Sequence, residues 1–299
     1  MKEKKKLLVI LGPTASGKSD LAVECALNFN GEVVSADSRQ VYEGLDIATG
    51  KITQEEMRGI PHHLLDVARP QEQYSVALYK EAADEVIEDV HARGKLPILA
   101  GGTGFYIQAI VDNMMLPDVG PNQMLREQLQ EKSVEELRSI LKELDPRREE
   151  DITQDNPRRL IRAIEIAKEL GHVPKVQKEV RFNTLQIGLK PKKKELKRRI
   201  QIRTQQRLER GMIEEVEELY KEGLSLKRMR ELGLEYEHLA DYLEDKIDTE
   251  ELVQSIERDD WRYARQQIKW FKRDKRIKWF SPENPEEILA HIKEWLTES

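Results

Sequence analysis

The stretch Leu7–Ser19, Leu-Leu-Val-Ile-Leu-Gly-Pro-Thr-Ala-Ser-Gly-Lys-Ser, constrains this chain more than any other. Leu7 to Leu11 form an unbroken apolar run, which reads as a buried strand of a parallel sheet. Gly12, Pro13, Thr14, Ala15, Ser16, Gly17, Lys18 and Ser19 then fit the pattern G-x-x-x-x-G-K-[ST]. Ala22, Val23, Ala26 and Leu27 follow at helical spacing. Strand, glycine loop and helix start, in that order, make a phosphate-binding P-loop. The glycines let backbone N–H groups curl around an anion, and the helix N-terminus adds partial positive charge. Lys18 would neutralise a terminal phosphate, and the Ser19 hydroxyl would sit on Mg²⁺. Such a loop specifies a di- or triphosphate, without saying which or whether it is hydrolysed.

Among 299 residues, 38% are hydrophobic and 35% charged, the composition of a helix-rich globular protein of one or two domains. No apolar run is long enough to cross a membrane, and basic Met1–Lys6 leads into a strand rather than a signal-peptide core. A lone Cys25 excludes a disulfide framework and a cysteine zinc site, and fits a reducing cytoplasm. It lies within the first helix and is expected to pack there. Net charge is −6, yet residues 190–210 hold ten Lys and Arg against Glu195 and Glu209. Residues 258–279 hold nine against Asp259, Asp260 and Asp274. Two basic blocks on an acidic body point to local polyanion binding.

Glu32–Ala36 reads as a second strand, ending in Asp37-Ser38-Arg39-Gln40. Side chains just past the strand C-termini of an open parallel sheet face the ligand crevice, so Asp37 is expected beside the P-loop. It suits an outer-shell Mg²⁺ ligand, or a hydrogen-bond acceptor and general base. Val41–Lys51 is expected to be loop and short helix. His62 and His63 are adjacent, point to opposite sides of a strand, and are expected to be structural. Val76, Tyr79, Ala83, Val86 and Val90 make one stripe of a helix that Ser75 caps and Gly94 ends. A third strand, Leu96–Ala100, runs into Gly101-Gly102-Thr103-Gly104-Phe105-Tyr106, where Thr103 offers a hydroxyl to the crevice. Apart from the strand before Asp37, none after the P-loop ends in an Asp of Walker B type, which disfavours an NTP-hydrolysing motor.

After Leu116 the pattern turns helical. Ser133 and Glu136 form a capping box; Asn156, Pro157 and Gly171 bracket a later helix. The fold expected is α/β, a P-loop parallel-sheet core with a helical insertion: core over 1–117, insertion over 118–182, core resumed over 183–299. Arg126, Arg158, Arg159 and Arg162 are the insertion's candidate phosphate contacts. Leu185–Leu189 returns to strand, and one long helix is expected to run past Gly211 to about Tyr220. Arg199, Arg203 and Arg207 recur every four residues along it and share a face, where like charges repel unless an anion lies between them. Such a lid helix brings arginine onto a transferring group. The last helix, Glu250–Arg273, interleaves Trp261, Tyr263, Trp270 and Phe271 with Arg262, Arg265, Lys269 and Lys272, a pattern suited to stacking and phosphate contact with RNA or to inward packing.

Together these stretches resemble the tRNA isopentenyltransferase family. The resemblance is carried by Gly12–Ser19, Ser35–Tyr42, Asp46–Lys51, Pro61–Asp66, Gly101–Tyr106, Asn156–Ala163 and Arg262–Gln267. It covers nearly the whole chain in order. Where the family often has Gly-Tyr-Lys-Glu, this chain has Gly233-Leu234-Glu235-Tyr236. The single cysteine leaves no zinc-finger extension, implying a bacterial-type enzyme. The resemblance implies transfer of a dimethylallyl group to the exocyclic amine of the adenosine 3′ of the anticodon. The P-loop would hold dimethylallyl diphosphate rather than ATP, with Mg²⁺ on Ser19. Asp37 would accept the amine's proton. Lys18, Thr14, Ser16 and an arginine from the Arg203/Arg207 pair would stabilise the departing diphosphate. Thr103 matches a family residue at the substrate tRNA. Carried over likewise, contacts to the tRNA anticodon stem-loop fall on Asp37, Ser38, Arg39, Gln40, Thr103, Arg126, Arg158, Arg159, Leu160, Ile161, Arg162, Arg265, Gln266, Lys269 and Trp270. A monomer in the cytoplasm, free of membrane, is expected. Two rivals remain at this point: a P-loop small-molecule or nucleotide kinase, which needs neither insertion nor basic-aromatic helix, and an RNA-binding module with the P-loop as a switch.

Overall fold

A computed structural model describes residues 4–152 and 155–298. The first segment alternates strand and helix: β1 (Lys6–Leu11), α1 (Lys18–Phe29), β2 (Gly31–Ala36), α2 (Gln54–Met57), β3 (His62–His63), α3 (Val76–Ala92), β4 (Leu96–Gly101) and α4 (Gly104–Val111). Four helices follow: α5 (Gln123–Gln130), α6 (Val134–Leu144), α7 (Pro146–Asp151) and α8 (Pro157–Leu170). The chain then returns to strand with β5 (Asn183–Leu189) and continues as α9 (Lys193–Glu209), α10 (Met212–Lys221), α11 (Leu226–Leu232), α12 (Glu235–Leu243), α13 (Thr249–Phe271), β6 (Lys278–Phe280) and α14 (Pro285–Thr297). It divides into two compact units, Met1–Asn113 with Val180–Ser299, and Met114–Glu179.

The larger unit is an α/β fold built on one parallel sheet, ordered β3-β2-β4-β1-β5-β6. Alternation along β1 supplies both faces. Leu7, Val9 and Leu11 join one core, which includes Tyr79, Tyr106 and Tyr236; Leu8 and Ile10 join the other, with Cys25, Ile288 and Trp295. β1 lies between β4 and β5; the chain leaves it for β2, beyond β4, and later fills its other side with β5, so the C-terminal end of β1 is a switch point where ligands bind in such sheets. The smaller unit has its own core of Leu129, Leu137, Leu141, Leu160, Ile161 and Ile164. Its helices begin where the capping residues lie, with a reciprocal Ser133–Glu136 box and Asn156 receiving the Arg159 N–H.

Three expectations need correction. Val41–Lys51 contains turns but no helix; the short α2 comes after it, capped by Thr53. The expected long helix breaks at Gly211, whose φ of 93° suits glycine and ends α9 before α10 begins. The basic-aromatic helix is not the last. The strand β6 pairs with β5, and α14 buries Ile288, Ile292 and Trp295 at helical spacing. His62 and His63 form the edge strand β3, where His63 Nε2 meets Glu32 at 2.8 Å.

Glu32 opens β2 as a buried acid. Its carboxylate takes a two-armed bond from Arg93 (Nη2 at 2.8 Å), with Lys95 Nζ at 2.7 Å. The Arg93 bonds, against the cost of burial and with help from Lys95 and His63, hold the carboxyl well below the usual range. That charge therefore stabilises the fold at pH values above the ordinary carboxylate range, and the contribution is lost progressively as pH falls below it. Removing the acid leaves Lys95 without its carboxylate and Arg93 with Asp89 alone, both partly exposed, so Glu32→Ala should cost about 2–3 kcal/mol, less than for a wholly buried pair. A lower urea midpoint at unchanged slope checks it.

Candidate active site

The loop between β1 and α1 presents its amides at the sheet's C-terminal end, and the first-turn N–H groups of α1 have no partner within the helix. Lys18 is folded into the loop, with Nζ 3.3 Å from the Pro13 carbonyl. Burial pulls its pKa down to about 8, opposed by nearby Asp37 and reinforced by Arg203. The Ser16 hydroxyl is buried without a hydrogen-bond partner. Arg203 enters from α9, donating to Thr14 Oγ1 at 3.3 Å, and its guanidinium lies against Gly50. Thr14, Lys18, Ser19, Asp37, Arg39, Gln40, Arg203 and Gln267 line one cleft together with Glu235, Asp260 and Tyr263.

Asp37 follows β2 directly. Its Oδ1 accepts the Arg39 N–H at 2.9 Å, a local turn that fixes the carboxylate at the strand end. Arg39 lines the cleft with its Nε buried and unpartnered. Gln40 donates to the Gly50 carbonyl at 3.3 Å. Thr103 lies behind these groups: its hydroxyl accepts the Ser38 N–H at 2.9 Å, donates to Ser38 Oγ at 3.3 Å and also bonds Tyr263. Burial, with Asp37 nearby, raises the Tyr263 phenol, so it stays protonated.

Two glycine loops are tied together by a residue that spacing did not single out. Gln267, buried on α13, accepts the Thr14 N–H at 2.8 Å and donates to the Gly102 carbonyl at 2.9 Å. A Cβ on Gly102 would land on the Gln267 Nε2, so this approach requires glycine. Ala15, held at φ 57°, packs with Leu196 and Ile200 of α9 and Ala264 of α13. The only signal for Gln267 in the sequence is its place in Arg262–Gln267. Glu235 was marked only by its place in Gly233–Tyr236, and Asp260 carried no signal beyond its charge.

The three lid arginines part company. Arg199 pairs with Glu195 at 2.8 Å and reaches the Ser16 carbonyl at 3.5 Å. Arg203 faces the cleft. Arg207 turns inward to Glu235, Asp260 and the Ala48 carbonyl, so as placed its guanidinium is committed to protein groups and cannot be the diphosphate ligand expected of it. Burial and the neighbouring Glu235 push the Asp260 carboxyl up, against the pull of Arg207.

On α13, Arg265, Gln266 and Lys269 are exposed. Trp270 is half-buried, edge-on to Phe105 at 6.5 Å, while Phe271 enters the core. Within the helical unit, Glu165 is buried and takes Arg126 at 2.8 Å, Arg162 at 3.4 Å and the Asn122 N–H at 2.9 Å. Arg158 and Arg159 are exposed. Leu160 and Ile161 belong to that unit's core, so their side chains pack inward and are not the tRNA contacts expected from the motif. Among the described residues no group of three or more His, Cys, Asp or Glu could hold a metal ion.

A family model described as IPP transferase matches residues 40–274. The chain belongs to the IPP transferase family. This IPP transferase is 40% identical over 305 residues to the tRNA dimethylallyltransferase of Caldanaerobacter subterraneus subsp. tengcongensis, covering 97% of each chain. It is 40% identical over 281 residues to that of Anoxybacillus flavithermus, covering 92% of this chain and 90% of the relative. Its fold matches the tRNA isopentenylpyrophosphate transferase of Bacillus halodurans with TM-score 0.73 and 36% identity, covering 98% of this chain and 96% of that one. A eukaryotic dimethylallyltransferase acting on tRNA matches with TM-score 0.78 and 26% identity, over 99% of this chain and 76% of that one.

The Gln267 clamp is testable in this IPP transferase by itself. Gln267→Leu keeps the bulk but leaves the Thr14 N–H and the Gly102 carbonyl unpaired. It should cost about 2 kcal/mol of stability. Amide hydrogen exchange should quicken in 12–19 and 101–104 while β5 stays protected.

Proposed function

We propose that this IPP transferase moves a dimethylallyl group from dimethylallyl diphosphate to the exocyclic amine of the adenosine 3′ of the anticodon in tRNA. The observation that carries this is one cleft holding a cationic P-loop and a carboxylate together, Lys18 and Arg203 with Asp37. The unpartnered Ser16 hydroxyl and Arg39 Nε are donors that a bound anion would satisfy.

The reaction forms a bond from the adenine nitrogen to C1 of the prenyl group and breaks the C1–oxygen bond of the diphosphate. The electron pair leaves on the diphosphate, and the nitrogen loses a proton. Adenine's amine is a poor nucleophile because its lone pair is delocalised into the ring. Asp37 is the acceptor for its proton: Oδ1 is engaged by the Arg39 N–H, which leaves Oδ2 for the amine. Loop amides, Lys18, Thr14, Ser16 and Arg203 hold the leaving group, where preorganised donors act on developing charge without reorganising. The hydroxyl of Ser19 is a hard oxygen donor lining the same cleft, which fits Mg²⁺ held mainly by substrate phosphates and water. Bound there, Mg²⁺ would neutralise diphosphate charge. Thr103, through Ser38 and Tyr263, braces the wall of this cleft.

The target base must leave its stack to reach Asp37, at a cost of about a few kcal/mol. Exposed Arg265, Gln266 and Lys269 on α13, and Arg158 and Arg159 on the helical unit, are the proposed grip on the anticodon stem-loop. No helix among the described residues is long and apolar enough to cross a membrane. A monomeric enzyme working on tRNA in the cytoplasm fits this reading.

The deciding assay incubates the protein with labelled dimethylallyl diphosphate, Mg²⁺ and unmodified tRNA, and in parallel with ATP labelled in its terminal phosphate. Prenyl label should appear in tRNA; phosphate transfer to an acceptor without prenyl transfer would instead make the protein a kinase. In that assay Asp37→Ala should lower kcat by about 10²–10⁴-fold, with a far smaller change in the KM for the diphosphate. Unchanged turnover removes Asp37 from the mechanism. Arg265→Ala should weaken tRNA binding and reduce its salt slope by about 1, read from affinities across a salt series.

A further inference from the structure

We propose that Arg207 is a positioning residue for Arg203: it occupies the two buried carboxylates behind the cleft, so that Arg203 remains directed at an anion in the P-loop. This rests on the reading of the cleft as a diphosphate site and adds to it the device that keeps its arginine available.

Arg207 Nη1 donates to Glu235 Oε1 at 2.6 Å and to the Ala48 carbonyl at 2.7 Å, and Nη2 donates to Asp260 Oδ2 at 2.7 Å and to Thr204 Oγ1 at 3.4 Å. One side chain thus joins α9, the start of α12, the middle of α13 and the turn before Gly50. Arg203 lies one helical turn earlier, is itself half-buried, and lines the cleft beside both acids. It is attracted by Asp260, Glu235 and Asp37 and repelled by Arg207. Its bond to Thr14 Oγ1 is long, at 3.3 Å, so it is weakly held where it stands. Take Arg207 away and two desolvated carboxylates lose their cation. Arg203 is then drawn off the P-loop towards them, because a buried charge is expensive to leave unpaired. The Ala48 bond adds a second effect, since it fixes the turn that brings Gly50 against the Arg203 guanidinium.

The test uses the full chain and two readouts: binding of inorganic pyrophosphate by calorimetry, and steady-state kinetics with dimethylallyl diphosphate and tRNA. Arg207→Met should weaken pyrophosphate binding and raise the KM for dimethylallyl diphosphate by about tenfold, the size of one lost charge-assisted bond, while the KM for tRNA changes less than about twofold. Arg207→Met/Glu235→Lys supplies the cation from α12 instead and should recover pyrophosphate affinity to within about threefold of the parent. Arg207→Lys, with the charge but not the fork, should fall between. If Arg207→Met does not fold, the exchange variant and Arg207→Lys carry the comparison. Pyrophosphate affinity unchanged in the single variants overturns the proposal, as does an equal rise in both KM values without recovery in the exchange variant. A parent protein that binds pyrophosphate but transfers no prenyl group would sink the reaction assigned above and leave the positioning role standing. A parent that binds no pyrophosphate sinks the proposal too.

Discussion

The carboxamide of Gln267 sets the spacing on which the cleft depends. A P-loop is flexible by composition, and so is the Gly101–Gly104 turn at the end of β4. Each follows a strand whose position the sheet fixes, but nothing in a sheet fixes how two glycine-rich loops sit against each other. One amide does so here, receiving the Thr14 N–H on its oxygen and giving its own N–H to the Gly102 carbonyl. Because it is buried on a long helix, the clamp ties both loops to α13 and, through Ala15 against Leu196, Ile200 and Ala264, to α9. Backbone groups that point at a ligand are then preorganised by packing rather than by the ligand.

The charges inside that frame are arranged to be incomplete. Burial holds Lys18 near 8, so its ammonium is costly without an anion, and Arg203 is pulled down by burial for the same reason. Only one of the neighbouring acids, Asp37, stands at a strand end; Glu235 and Asp260 are matched by Arg207. The cleft therefore keeps a deficit of negative charge beside a single carboxylate that Arg207 does not match. A diphosphate there would remove the deficit, so that a chain of net charge −6 could hold an anion without any general affinity for them.

Much of this was legible in the residues. The apolar run Leu7–Leu11 and the glycine pattern after it have one structural solution, and Ser75, Ser133 and Asn156 marked three helix starts because their side chains satisfy N–H groups that a helix leaves open. Asp37 was legible because strand ends in open parallel sheets face ligands. What escaped depended on tertiary distance. Nothing local distinguishes Gln267 from Gln266, yet one is buried between two loops and the other is exposed. Leu160 and Ile161 sit in a motif full of arginine, but the helix turns them to the core of their unit. β6 was not legible because Lys278–Phe280 is too short for a period to show.

The arginines of α9 show the same limit most sharply. Residues four apart share a helix face, and repulsion along that face argues for an anion opposite it. The structure supplies three different anionic or polar partners instead: Glu195 for Arg199, the P-loop for Arg203, and the Glu235–Asp260 pair for Arg207. The face is one, but the helix passes in turn over solvent, cleft and core, so the environment changes within three turns. Spacing reports which side of a helix a charge occupies; only packing decides whether that charge is spent on the fold or kept for a ligand. Here the two uses alternate along one helix, and the charge kept for the ligand is secured by the one spent on the fold.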